Sequence, residues 1–188
     1  MSVKDELRYK LKIKRKYFEG VRREYADLAI LDNFTAAFSG FDSFFVYNSF
    51  GTEASTKLII KELLKLGKAV YLPRVEGENI VPVRYLGGDG LKSGAFGIAE
   101  PCGQAFFGNI DVTVIPLLAV NGDGYRIGYG RGFYDRYLHG SATKRVGLGY
   151  YFQFEEFDND GWDEPLDLYI CEKGIFDFGI TADQRGKK

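Results

Sequence analysis

Residues 124–138 read GYRIGYGRGFYDRYL and carry the most informative pattern in the chain. Its first part, up to residue 132, holds three alternate glycines and two arginines: Gly128, Gly130, Gly132, Arg126 and Arg131. Glycine lets main-chain N–H groups approach a ligand closely and adopt conformations closed to other residues. After the last glycine, residues 133–138 can form a helix. The stretch therefore predicts a phosphate-binding loop that leads into a helix.

The acid in this stretch, Asp135, falls in the first turn of the predicted helix. There it can accept main-chain hydrogen bonds or hold a hard cation beside phosphates. The spacing is neither that of a P-loop nor that of a dinucleotide-binding fingerprint. Glycine, arginine and carboxylate together favour a magnesium–nucleotide site. The alternative is a glycine-rich hairpin whose aromatic residues only pack.

Composition is that of a single globular domain of 188 residues, with 45% hydrophobic residues and a net charge of −1. That balance predicts no general attraction to nucleic acid. Residues 1–23 are locally basic, with nine lysines and arginines against three acids. No apolar run approaches the roughly 20 residues of a membrane span, and no signal peptide is visible. With two separate cysteines and one histidine, we expect a cytoplasmic protein without a histidine-based zinc site.

Hydrophobic patterning predicts alternating helices and strands, and hence a parallel sheet covered on both faces. The predicted helices with defined limits are 2–17, 56–66 and 133–138. A further helix is predicted after residue 20, because Val21, Tyr25, Leu28 and Leu31 share a face there. The predicted strands are 43–49, 68–73, 80–86, 112–115, 145–148 and 166–171. Pro82 favours an edge position for its strand. Residues 87–110 are predicted to be a long loop, and 173–188 a peripheral tail.

Several segments, taken in order, resemble the 5-formyltetrahydrofolate cyclo-ligases, also called methenyltetrahydrofolate synthetases. The glycine stretch from Arg126 to Leu138 is similar to that family's signature. The other similar segments are KDELR at 4–8, SFGTEAST at 49–56, LPRV at 72–75, GAFGIAEP at 94–101, DVTVIP at 111–116 and PLDLYICE at 165–172. The resemblance implies a three-layer α/β/α fold with a mostly parallel sheet, like that of the sugar-phosphate isomerase and CoA-transferase group.

The resemblance also implies an activity. With ATP and Mg²⁺ as cofactors, 5-formyltetrahydrofolate becomes 5,10-methenyltetrahydrofolate, with release of ADP and phosphate. The formyl oxygen would be phosphorylated and N10 would then attack the formyl carbon. Phosphoryl transfer depends on positioning and charge neutralisation more than on a protein nucleophile. A site of glycine, arginine, lysine and aspartate suits that demand.

The resemblance further implies roles for individual residues. Those implied to bind the nucleotide are Lys4, Asp5, Glu6, Leu7, Arg8, Arg126, Ile127, Gly128, Tyr129, Gly130, Arg131, Gly132, Phe133 and Tyr134. Those implied to bind folate are Phe50, Glu53, Ser55, Tyr129, Gly130, Arg131, Gly132 and Phe133. The implied catalytic residues are Arg126, Arg131 and Tyr134, and the implied metal ligands are Asp135 and Asp167. Lys12 and Lys16 lie outside the pattern and are assigned to a solvated face.

Three positions depart from the usual residues of the family. Many members carry an acid where Ser55 stands, a tyrosine at Phe133, and a histidine at Trp162. Ser55 leaves open a folate- or nucleotide-binding protein without turnover. The basic N-terminus leaves open an RNA-binding module, although its charges precede the aromatic strands rather than interleave with them. We expect a monomer that binds small molecules, with neither a nucleic-acid nor a membrane partner.

Overall fold

The computed structural model describes residues 2–88, 90–159 and 163–180. Its helices are α1 Val3–Lys16, α2 Val21–Phe38, α3 Lys57–Lys65 and α4 Phe133–Leu138. Its strands are β1 Ser43–Val46, β2 Ala69–Glu76, β3 Asn79–Tyr85, β4 Leu91–Ser93, β5 Ala99–Pro101, β6 Val112–Pro116, β7 Ala119–Val120, β8 Arg126–Ile127, β9 Lys144–Leu148, β10 Leu168–Cys171 and β11 Gly174–Asp177.

Seven of the described strands form one sheet, in the order β11-β10-β9-β6-β1-β2-β3. The five inner strands run parallel, whereas β3 and β11 are antiparallel at the two edges. The prediction of a mostly parallel sheet is therefore confirmed. The strand with Pro82 lies at an edge, as expected of a residue that has no N–H group for a neighbour.

Both faces of the sheet are covered. Successive side chains of a strand point to opposite faces, so Phe44 and Phe45 of β1 join different apolar clusters. The cluster of Phe44 packs under α2 and α3, whereas that of Phe45 meets α4. The order is helix, sheet, then helix with loops, in agreement with the predicted three layers.

The predicted face of α2 is wrong, although the helix itself is present. Val21, Tyr25 and Leu28 are exposed, and Leu31 is partly buried. The buried residues lie on another stripe: Ala26, Ile30, Phe34 and Phe38. Two stripes with helical spacing compete here, and the one that ends in two phenylalanines covers the sheet. Because this stripe continues beyond residue 31, the shorter pattern was misleading.

Two segments predicted to lack regular structure contain strands. The predicted loop at 87–110 includes the antiparallel pair β4–β5, with a 3-10 turn at Ala95–Gly97 between them. The predicted tail begins with β11, and residues 181–188 lie outside the described part of the chain. In the ranges that the structure describes, no helix has the length and apolar character needed to cross a bilayer.

Candidate functional site

A cavity of about 740 Å³ opens where β1 and β6 end at their carboxyl sides. Open α/β sheets bind ligands at this end of their strands. Its walls come from α1, the loop after β1, residues 95–100 and the glycine stretch. Many of the residues assigned by sequence line it: Lys4, Arg8, Phe50, Glu53, Arg126, Ile127, Gly128, Tyr129, Gly130, Arg131, Gly132, Phe133, Tyr134 and Asp135.

The glycine stretch begins on a small hairpin and ends on α4. Strands β7 and β8 pair antiparallel, and Asn121 closes their turn by accepting the main-chain N–H group of Tyr125 at 2.9 Å. Gly130 and Gly132 have φ angles of +86° and +66°. Residues with a side chain are strained in that region, so glycine is favoured at both positions. Gly132 caps α4 and turns the chain into the helix.

The two arginines of this stretch have different environments. Arg126 is 8% exposed. It donates to Asp135 Oδ1 and to the carbonyl of Glu164, each at 2.7 Å. Arg131 is exposed, with its guanidinium 4.9 Å from the centroid of the Phe96 ring. Arg126 is thus held by the protein, while Arg131 reaches across the cavity mouth.

Helix α1 forms the opposite wall and is tied to the glycine stretch. Arg8 Nε donates to the carbonyl of Gly128 at 3.1 Å. Lys4 Nζ lies 3.1 Å from a carboxylate oxygen of Asp163. Since α1 and the glycine stretch are more than 100 residues apart in sequence, the Arg8–Gly128 hydrogen bond brings two distant motifs together.

Two basic residues of α1 that the sequence did not assign also line the cavity. Arg15 is 4% exposed and donates to the hydroxyl of Tyr129 at 2.7 Å and to the carbonyl of Leu117 at 3.2 Å. Lys12 lies 5.8 Å from the centroid of the Tyr129 ring. Lys12 is exposed, as expected for a solvated face, and its side chain also lines the cavity. Its spacing from Arg8 and Arg15, on one side of a helix, was the available signal.

Glu53 lies in the wall contributed by the loop after β1. Its Oε2 accepts the main-chain N–H group of Phe50 at 2.8 Å. Burial raises the pKa of the Glu53 carboxyl, while hydrogen bonds from Phe50 and Tyr129 favour its ionised form. Burial and the negative charge of Glu53 raise the pKa of Tyr134, so its phenol, which is protonated at neutral pH in any case, is still harder to ionise.

Comparison with known proteins shows which family the chain matches. Residues 1–172 match the model of the 5-formyltetrahydrofolate cyclo-ligase family. The chain belongs to this family. It is 36% identical to the 5-formyltetrahydrofolate cyclo-ligase of Haemophilus influenzae over 132 residues, which are 64% of this chain and 71% of that protein. The alignment with the Mycoplasma genitalium cyclo-ligase is 52% identical but spans only 34% of this chain and 39% of that relative.

The fold agrees with that membership. The solution structure of the 5,10-methenyltetrahydrofolate synthetase of Aquifex aeolicus superposes with a TM-score of 0.84 at 32% identity. The superposition covers 96% of this chain and 95% of the other. The resemblance drawn from the ordered motifs is therefore confirmed for the family and for the α/β architecture.

Five residues assigned by resemblance lie outside the cavity lining of this cyclo-ligase family member: Asp5, Glu6, Leu7, Ser55 and Asp167. Asp5 is exposed and pairs with Arg8 at 2.7 Å, whereas Leu7 packs from α1 against the apolar cluster that contains Ala119 and Ile127. The N–H group of Ser55 donates to Asp27 at 3.1 Å. Asp167, immediately before β10, is 1% exposed and accepts the N–H group of Arg145 at 2.7 Å. Trp162 lies outside the described residues.

Proposed function

We propose that the chain catalyses the ATP-dependent conversion of 5-formyltetrahydrofolate to 5,10-methenyltetrahydrofolate, with release of ADP and phosphate. The supporting observation is the single cavity that joins α1, the glycine stretch and the Glu53 loop. Two reactants have to meet for this reaction, and a shared cavity supplies the proximity that phosphoryl transfer requires.

The reaction needs activation of a poor leaving group. The formyl oxygen attacks the γ-phosphorus, the bond to the bridging oxygen breaks, and ADP leaves. The resulting iminium phosphate is attacked at carbon by N10, which loses its proton. The carbon–oxygen bond then breaks and phosphate departs, which leaves the methenyl bridge. Charge develops on phosphate oxygens throughout, so fixed cations are the groups that favour the transition state.

Cationic side chains converge on the cavity from two directions. Lys4 and Arg8 come from α1, and Arg131 comes from the glycine stretch. We assign these three to the ATP phosphates. Arg126 is only 8% exposed and donates both of its described bonds to protein oxygens, so we assign it to fixing the loop and Asp135. Tyr134 stays protonated and can donate a hydrogen bond to a phosphate or formyl oxygen.

Glu53 suits the pterin ring of the substrate. Its carboxylate is held by the Phe50 N–H group at one oxygen and faces the cavity. A carboxylate with two oxygens can accept paired N–H donors from a pterin. The exposed ring of Phe50 and the ring of Phe133, which also line the cavity, provide apolar surfaces for the flat heterocycle.

The residues fit a bound Mg²⁺ if the nucleotide supplies most of the ligands. In the described ranges, no group of three or more acidic, histidine or cysteine side chains could enclose a metal. The Asp135 carboxylate lines the cavity with more than a third of its side chain exposed, and Arg126 contacts only its Oδ1. Mg²⁺ is commonly held by one or two carboxylates together with phosphates. It would neutralise phosphate charge, with Asp135 as its protein ligand.

The alternatives lose their main support in this geometry. The binding-protein hypothesis rested on Ser55, but Ser55 lies outside the cavity lining and bonds to Asp27. The RNA-binding hypothesis rested on a diffuse basic surface. Four of its basic residues instead line the cavity: Lys4, Arg8, Lys12 and Arg15.

One assay tests the proposal. Purified protein, ATP, a divalent cation and 5-formyltetrahydrofolate should give the near-ultraviolet absorbance band of the methenyl product, with one ADP for each product molecule. Omission of ATP or of the cation should abolish the band. Product without ADP would refute the proposed reaction, and folate binding without product would establish a binding protein instead.

A further inference from the structure

Three residues from separate parts of the chain meet in the wall of the main cavity: Arg15 of α1, Glu53 of the loop after β1 and Tyr129 of the glycine stretch. The guanidinium of Arg15 donates to the Tyr129 hydroxyl at 2.7 Å. That hydroxyl in turn donates to the Glu53 carboxylate, which can only accept when it is ionised. The three side chains therefore form one chain of hydrogen bonds that ends on Glu53.

Both ends of this chain of hydrogen bonds are buried. Arg15 is 4% exposed and Glu53 is 9% exposed. A second guanidinium nitrogen of Arg15 donates to the carbonyl of Leu117, just after β6, at 3.2 Å. A buried charge is costly unless a charge of opposite sign compensates it. Arg15 and Glu53 supply such a pair of charges, with the Tyr129 hydroxyl between them.

The charged and titratable groups around Glu53 come from several elements. They are Arg15 and Lys12 of α1, Arg23 of α2, Tyr47 at the end of β1, Tyr129 of the glycine stretch, Tyr134 of α4 and Tyr150 after β9. The phenols are neutral near pH 7. Arg23 and Tyr150 bond to the Glu53 carbonyl rather than to its carboxylate. Among the described residues, the charge that favours the ionised carboxylate is that of Arg15.

The charge state of Glu53 matters for the ligand assigned to it. An ionised carboxylate offers two acceptor oxygens to the paired N–H groups of a pterin, whereas a protonated one carries a competing donor. Burial raises the pKa of the Glu53 carboxyl and so works against the ionised form. We propose that Arg15 is a positioning residue, which acts through Tyr129 to keep Glu53 ionised and oriented for the pterin. This inference rests on the proposed function, because it takes a folate as the ligand of Glu53.

The first measurement follows the Glu53 carboxyl without any ligand. The protein is isotope-labelled at the carboxyl carbons of glutamate, and the Glu53 resonance is identified by its loss in Glu53→Gln. In Arg15→Met its titration midpoint should rise by about one pH unit or more, because the carboxylate loses a nearby opposite charge. Tyr129→Phe should move the midpoint in the same direction. Arg15→Lys, which keeps the charge, should stay closer to the unaltered protein.

The second measurement is the Kd of 5-formyltetrahydrofolate without ATP, across the pH range in which Glu53 titrates. Binding should be tight above the Glu53 midpoint and weaken as the pH falls through it. Arg15→Met should therefore raise the Kd about tenfold below both midpoints for each pH unit by which the midpoint rises, and change it little above them. A role confined to packing would raise the Kd equally at every pH.

Lys16→Met is the matched control, since it removes a charge from the same helix at an exposed position outside the cavity lining. The proposal is overturned by an unchanged Glu53 midpoint in Arg15→Met, by a rise in Kd that is independent of pH, or by an equal effect of Lys16→Met. If Arg15→Met does not fold, Tyr129→Phe, which retains the ring, decides by the same two measurements. A midpoint that moves as expected in a protein that binds no folate would refute the proposed function instead.

Discussion

Arg126 and Asp135 show how one pair of residues shapes the glycine stretch. They are nine residues apart in sequence and joined at 2.7 Å, with Arg126 almost fully buried. A buried arginine that lacks a partner is costly, so Asp135 is fixed in place by its neighbour. Its remaining exposed surface faces the cavity. Orientation by Arg126 would therefore prepare Asp135 for a cation bound beside phosphates.

Asp135→Asn tests this role. Asparagine keeps the shape and a hydrogen-bond acceptor for Arg126 but removes the charge. We expect the fold to persist, and activity at low Mg²⁺ to fall at least tenfold, which corresponds to about 1.4 kcal/mol. Asp123→Asn, an exposed acid in the β7–β8 turn, is the control. The measurement is the Mg²⁺ dependence of initial rate, and an unchanged dependence would mean that Asp135 serves only the loop.

At the residue scale, local pattern in the sequence was enough to find residues that line the cavity. The glycines and Asp135 belong to one short stretch, so spacing alone was informative. Arg15 was missed because its burial depends on Leu117 and Tyr129, which are 102 and 114 positions away. No pattern within α1 distinguishes this arginine from the solvated lysines around it.

Helix α1 contributes one basic face to the cavity and another to solvent. Lys4, Arg8 and Lys12 line the cavity, whereas Lys16 is exposed and outside the lining. Charges beside a bound phosphate are directional and poorly screened, while solvated charges are screened within about 8–10 Å at ordinary salt. We therefore expect substitution of a cavity-lining cation on α1 to affect catalysis much more than substitution of a solvated cation beside it.

Single alanine substitutions along α1 test that division. Lys4→Ala and Arg8→Ala should each raise the KM for ATP or lower kcat by tenfold or more, and Lys12→Ala should also reduce catalysis. Lys16→Ala should be close to neutral. Steady-state kinetics and retention on an RNA column are measured for all four. Equal effects at every position, with RNA retention lost in parallel, would favour a diffuse nucleic-acid surface.

Elements with strong local signals were predicted well. The limits of α4 were correct, and α3 differed by one residue at each end, because Gly132 and Gly67 mark a start and an end. Strand β11 and the β4–β5 hairpin were missed. Their short segments acquire strand structure only through pairing with β10 and with each other, which no local pattern reveals.

At the scale of the whole molecule, α2 supports the loop after β1 that carries Glu53. Arg23 of α2 donates to the carbonyls of Gly51 and Glu53 at 3.0 and 2.8 Å, and to the Tyr150 hydroxyl at 3.0 Å. One turn later, Asp27 accepts the Tyr150 hydroxyl at 3.0 Å. It also accepts the Ser55 N–H group. Helix, loop and the segment after β9 thus converge behind Glu53.

Arg23→Met should therefore affect folate far more than ATP. Methionine keeps an apolar stem but leaves the carbonyls of Gly51 and Glu53 without their donor, at a cost of about 1 to 3 kcal/mol in unfolding free energy. Because the bonds from Arg23 to these carbonyls hold the loop that presents Glu53, we expect the folate KM to rise about tenfold. The KM for ATP should stay within about twofold, since the glycine stretch has no bond to Arg23 among the described contacts.

Arg22→Met is the matched control, because Arg22 is the preceding residue of α2 and is exposed. Steady-state kinetics are measured with each substrate varied in turn, at a temperature where urea titration shows that all variants are folded. These data separate an effect on the position of Glu53 from an effect on the stability of the fold. A general loss of stability would reduce the active fraction and leave both KM values unchanged. A rise in both KM values together would instead mean that α2 supports the cavity as one unit. Only the selective rise in the folate KM supports a helical layer that positions Glu53.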